Sequence, residues 1–106
     1  MPVEAFVVSV VDSTAEALVT VSGELDASNC PELASRLRPI TANGISDVDI
    51  DLSHVTFADS AVVYLLTQVS LDLLANGRRL RVIDPSEPIL RLLTLTDLSV
   101  WFCPRE

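Results

Sequence analysis

The stretch "SDVDIDLSHVTFADSAVVYLLTQVSLDLLANG", residues 46–77, decides the fold. In its first third Val48, Ile50 and Leu52 alternate with Asp47, Asp49 and Asp51, the period-two pattern of a strand with one apolar face. From about Asp59 the period changes. Val62, Leu65, Leu66, Val69 and Leu73 recur at helical spacing, and Asn76-Gly77 supplies a stop. At the junction stands a polar pair, Asp59 and Ser60. Buried polar groups without partners are costly, so the pair needs a reason: a helix cap, a nucleophile, or a hydroxyl that another protein modifies.

Downstream, Leu80, Val82 and Ile83 predict a strand closed by Asp84-Pro85. A helix is expected near Ser86–Leu95, carrying Ile89, Leu90, Leu92 and Leu93, before Val100-Trp101-Phe102 as a short strand or apolar tail. Upstream, residues 4–11 and 17–22 alternate at period two, and Asp12-Ser13-Thr14 offers turn-forming side chains, so an antiparallel hairpin is expected. Gly23-Glu24-Leu25-Asp26 breaks that pattern. Asn29 then reads as an N-cap, with Pro31 in the first turn and Cys30, Leu33, Ala34, Leu37 and Ile40 as the apolar stripe, ended by Asn43-Gly44. The order is β-β-α-β-α-β-α. It implies one α/β domain over residues 1–106, with a mixed, mostly parallel sheet of four to five strands and the first strand antiparallel at the edge.

Composition narrows the function. Of 106 residues 49% are hydrophobic, enough for a real core and against disorder. The formal net charge of −8 argues against direct nucleic-acid binding, which needs a positive footprint. The basic cluster Arg78, Arg79 and Arg81 reads as a solvated strand start. No basic start followed by an apolar run marks a secretory signal, and Asp59, Thr67, Gln68 and Asp72 interrupt the most apolar stretch, so no membrane insertion and a cytoplasmic setting are expected.

Catalytic chemistry finds little support. His54 is the one histidine and reads as a solvated turn residue. Asp47, Asp49 and Asp51 share a strand face but read as a solvated or helix-covered sheet edge rather than as a metal site or a phosphoaspartate pocket. Cys30 and Cys103 match no metal spacing and are expected as free thiols, with a redox disulfide as the minor alternative. No enzyme activity, metal or cofactor is expected. A second helical row, Val63, Thr67, Leu71 and Leu74, reads mostly as core, and any exposed part would mark a protein-binding patch.

Three segments together resemble STAS domains, the anti-sigma factor antagonists: "VSGELDASNCPELASRL", "SDVDIDLSHVTFADSAVVYLL" and "SEPILRLLTLTDLSVWF". The resemblance implies a single STAS-like domain that binds an anti-sigma factor of the serine-kinase type and releases its sigma factor. By the same resemblance Ser60 is the phosphoacceptor, and Asp26, Asp59 and the turn Ala61, Val62, Val63 and Tyr64 form the docking surface. The kinase partner would bind the ATP. Alternatives within the family are a cytoplasmic accessory subunit of a membrane transporter and a paralogue that binds partners without being phosphorylated. Two departures stand out. Many members carry Gly where this chain has Val62, so a bulky, stiff side chain is expected where a partner backbone would approach. Asp97-Leu98 replaces a Gly-Leu pair after the last helix.

Overall fold

The segment in which Val48, Ile50 and Leu52 alternate with aspartates forms the central strand of the sheet. In the computed structural model, which describes residues 7–12, 17–43, 47–96 and 102–103, with side chains over 17–42 and 47–96, this strand runs from Val48 to Ala58. The elements are β1 (Val7–Asp12), β2 (Ala17–Leu25), α1 (Cys30–Asn43), β3 (Val48–Ala58), α2 (Ser60–Leu74), β4 (Leu80–Ile83), α3 (Glu87–Leu95) and β5 (Phe102–Cys103). They form one five-stranded sheet in the order β1-β2-β3-β4-β5. β1 pairs antiparallel with β2, and every later neighbour is parallel.

Each helix-bearing connection steps one strand in the same direction across the sheet. Right-handed crossovers then put α1, α2 and α3 on one face. The burial pattern agrees. Val19, Val21, Val48, Ile50, Leu52, Leu80 and Val82 face the helices and are buried, while Thr20, Ser22, Asp49, Asp51 and Ser53 alternate with them and are half-buried. The three aspartates of the alternating strand have structural partners: Asp47 accepts from the Arg79 N–H (2.9 Å), Asp49 pairs with Arg81 (2.7 Å), and Asp51 accepts from Ser53 N (2.9 Å) and Oγ (2.6 Å).

β3 is longer than its alternation suggested, because its pairing with β2 shifts register twice. Thr20 and Ser22 of β2 face Asp51 and His54, so β3 holds an extra residue there. Bulges of this kind change which residues face inward, and Val55 is the last buried residue of the strand. His54 therefore lies in an exposed part of the strand, beside the Ser53 hydroxyl (3.1 Å), and not in a turn. The second shift falls at Gly23, buried with φ 94°, a conformation that glycine adopts without a Cβ penalty. What read as a break in the pattern is thus the end of β2, which continues to a fully buried Leu25.

α2 ends as Asn76-Gly77 suggested. Gly77 has φ 71°, its N–H donates to Leu74 O (3.0 Å), and the Arg78 N–H donates to Leu73 O (2.9 Å), the paired bonds of a Schellman stop. Arg78 is no solvated residue. It is 2% exposed, and its guanidinium donates to Ile40 O (2.9 Å) and Thr41 O (3.2 Å) at the C-terminal end of α1. That helix has no basic residue in its last turn, so a cation from the next crossover serves its carbonyl end. The row Val63, Thr67, Leu71 and Leu74 is not core either: the first two are half-buried, and Leu71 and Leu74 are more than half exposed. Expectations at residues 4–6, the turn 13–14, Gly44, Asp97-Leu98, 100–101 and the Cys103 side chain fall outside the described residues.

Candidate functional site

Strand pairing brings the site together. β2 and β3 run parallel, and their last paired residues are Leu25 and Ala58. The next residue of each chain segment is an aspartate, so Asp26 and Asp59 emerge side by side at the carboxyl edge of the sheet. Open α/β sheets characteristically place their sites at this edge, where strands hand over to helices.

Asp59 caps α2. Its backbone is extended (φ −120°, ψ −177°), and its Oδ1 accepts from the Ala61 N–H at 3.0 Å. Its Oδ2 accepts from the Ala27 N–H at 3.2 Å, so one carboxylate joins the first turn of α2 to the turn between β2 and α1. Ser60 is the first helical residue and is exposed.

Asp26 has its own support. Its Oδ1 accepts from the Ser28 hydroxyl (2.6 Å) and the Ser28 N–H (2.9 Å), an Asx-type turn. The Ser28 hydroxyl bond, joined by the backbone bonds of Ser28 and Asn29, holds the Asp26 carboxyl below the usual carboxylate range. Asn29 stands at the expected N-cap position, directly before α1, where its C=O accepts from the Glu32 N–H (3.1 Å) and the Leu33 N–H (3.2 Å). Its side chain, however, bonds the turn before it rather than the helix. Its Oδ1 accepts from the Asp26 N–H (2.9 Å) and its Nδ2 donates to Glu24 O (2.7 Å), so it braces the turn backwards. Asn29 and Ser28 were missed as site residues, although Asp followed two positions later by Ser is a turn signature visible in sequence.

The expected docking residues divide. Ala61 and Val63 are half-buried, and Tyr64 is 70% exposed. Val62 is 1% exposed and belongs to the core with Leu65, Leu66, Val69 and Leu73. It is no part of the surface and does not obstruct the approach to Ser60. Beside Ala61 opens a groove of about 360 Å³ between α1 and α2, walled by Ala27, Cys30, Pro31, Ala34, Ala61 and Tyr64.

Cys30 is a free, buried thiol on that wall. Burial first, and then the nearby Asp59 and Asp26 carboxylates, push its pKa up to about 11. The unfolded thiol ionises near its ordinary value of 9.0, so between pH 9 and about 11 the unfolded chain binds fewer protons than the folded one. Stability therefore falls across that window. Urea midpoints should drop between these pH values, and Cys30→Ala should flatten the drop; an equal slope in both proteins would exclude Cys30 as its source.

Among the described residues no group of three or more His, Cys, Asp or Glu is arranged to hold a metal ion, and no helix is long and apolar enough to cross a membrane. Comparison with known proteins is consistent with the geometry. Residues 8–102 match the family described as "Mlab, STAS domain". An anti-sigma-B factor antagonist of Staphylococcus epidermidis is 36% identical over 81 residues, covering 76% of this chain and 75% of the relative. The crystal structure of an anti-sigma factor antagonist from Mycobacterium paratuberculosis superposes with a TM-score of 0.81 at 26% identity, covering 94% of this chain and 85% of the other. The Bacillus cell fate determinant SpoIIAA in its phosphorylated form shares the fold, with a TM-score of 0.74 at 17% identity over 96% of this chain and 92% of that one.

Proposed function

Because this chain belongs to the STAS domain family, we propose that it is an anti-sigma factor antagonist, a regulatory binding protein and not an enzyme, switched by phosphorylation of Ser60. The observation that carries this reading is the parallel pairing of Leu25 with Ala58, which sets Asp26 and Asp59 beside an exposed Ser60 at the start of α2. The relatives in Staphylococcus are anti-sigma-B factor antagonists, and the Bacillus structure of the same fold is a phosphorylated form. By analogy the partner here is an anti-sigma factor that is also a serine kinase.

The chemistry assigns each group a part. Ser60 Oγ attacks the γ-phosphorus of an ATP held by the partner; the bond to the bridging oxygen breaks, ADP leaves, and the hydroxyl proton passes to a base of the partner. The product carries about −1.5 to −2 charge at neutral pH, next to Asp59 and close to Asp26. On the partner-facing side lie Ala61, Val63 and the exposed Tyr64 ring. A phosphate placed among carboxylates and apolar contacts is disfavoured when that surface is covered, through like-charge repulsion and loss of hydration. Unmodified protein binds the anti-sigma factor and frees the sigma factor. Phosphorylated protein lets go.

Mixing the protein with a serine-kinase anti-sigma factor encoded in the same genome and ATP tests this. Intact mass should show one added phosphate, absent from Ser60→Ala. Ser60→Asp should weaken binding at least about tenfold, equivalent to about 1.4 kcal/mol. No phosphate, or one that persists in Ser60→Ala, overturns the switch.

A further inference from the structure

The Asp59 carboxylate spans two elements. One oxygen is held by the Ala61 N–H of α2 at 3.0 Å and the other by the Ala27 N–H of the β2–α1 turn at 3.2 Å. A carboxylate is planar and rigid, so neither oxygen can leave its donor without moving the other. We propose that Asp59 senses the phosphorylation state of Ser60 and passes it to the β2–α1 turn. This rests on the reading of Ser60 as the modified residue and concerns what the modification does next.

The steps follow from the contacts. A phosphate on Ser60 sits one residue from Asp59 and repels its carboxylate. Its oxygens also compete for N–H groups of the first helical turn, above all the Ala61 N–H that Asp59 Oδ1 now holds. As Asp59 turns away from Ala61, its second oxygen leaves Ala27, the longer and more exposed of the two bonds.

The turn does not melt when this happens, because its internal bonds do not involve Asp59. Asn29 still bonds the Asp26 N–H and Glu24 O, and Ser28 still bonds the Asp26 carboxylate. The turn therefore moves as a braced unit relative to α2. Ala27, Cys30 and Pro31 form one wall of the apolar groove, and Ala61 and Tyr64 stand across from them. Phosphorylation thereby reshapes a partner surface that extends well beyond the phosphate itself.

Asp59→Asn isolates the tie. Asparagine caps helices as well as aspartate does, so its oxygen keeps the Ala61 bond, while its NH₂ cannot accept from Ala27. The full-length protein would be made in three forms: unmodified, Asp59→Asn, and carrying phosphoserine encoded at position 60, which needs no kinase. In ¹⁵N-resolved NMR spectra the Ala27 amide proton should move upfield in both altered forms and exchange about threefold to tenfold faster, as expected for one lost hydrogen bond. The Asp26 amide, bonded to Asn29, should stay unchanged. An Ala27 signal that responds to Asp59→Asn but not to phosphoserine overturns the coupling and leaves the switch itself standing. An Ala27 signal indifferent to Asp59→Asn, or an Asp26 amide that loosens equally, overturns the tie. Failure of the kinase assay would instead count against the switch alone.

Discussion

Val62→Gly is expected to destabilise the domain by about 3 kcal/mol, from the lost burial of a valine side chain and the helix cost of glycine. The substitution restores the residue that many members of the family carry after the Asp-Ser pair, so a consensus argument would predict a neutral or helpful change. The structure argues the reverse. Val62 is 1% exposed and packs with Leu65, Leu66 and Val69 beneath α2. Removing it leaves a void that a packed core refills only in part. Denaturant unfolding should show a lower midpoint with little change in slope. Under conditions where the variant stays folded, its rate of phosphorylation by the kinase should match that of the unmodified chain, because the valine never faced the partner. A marked gain in phosphorylation at equal stability would mean that Val62 does obstruct the site.

Arg78→Met should cost a similar amount, about 3 kcal/mol, for a different reason. Methionine approximates the length and apolar stem of arginine but donates no hydrogen bonds. Ile40 O and Thr41 O would then face a buried, apolar side chain at the end of a helix that has no cation of its own in its last turn. Leaving buried acceptors without donors costs far more than a surface contact yields. Arg79→Met is the control. Arg79 is exposed, and it bonds Asp47 through its backbone N–H, which the substitution keeps, so a change within about 0.5 kcal/mol is expected. Equal effects at the two positions would show that the guanidinium contacts of Arg78 contribute nothing specific.

The two residues illustrate different limits of sequence reading. Val62 occupies a position whose helical phase was already legible: with Leu65, Leu66, Val69 and Leu73 it follows the three-and-four spacing of a core-facing stripe. The motif comparison pointed to the surface, the periodicity pointed inward, and the periodicity is what the packing obeys. Arg78 had no such signal. Its carbonyl partners lie 37 and 38 residues away, and an Arg-Arg pair before a strand reads as solvated unless the neighbouring helix end is known.

A similar division runs through the site. Asp59 as a helix cap and Ser60 as an exposed first-turn residue could be read locally, because capping depends on a few adjacent residues. The backward brace from the Asn29 side chain could not be distinguished from a cap, since the same side chain serves either role. His54 read as a turn because a strand bulge interrupts the alternation on which strand recognition depends. Leu71 and Leu74 read as core because helix phase alone does not reveal which flank of a helix a neighbour covers.

By itself, the sequence determined the element order as far as α3, the antiparallel first pair, the helical phase of α2 and the polar junction at Asp59-Ser60. Each of these follows from interactions within a few residues, or from a periodicity that a short window displays. Tertiary structure alone decided that Asp26 and Asp59 follow paired strand ends, that one carboxylate holds both Ala27 and Ala61, and that Arg78 closes the end of α1. Apart from the local Asp59–Ala61 bond, these contacts join residues more than thirty positions apart. They depend on strand register and crossover direction, which no local pattern specifies.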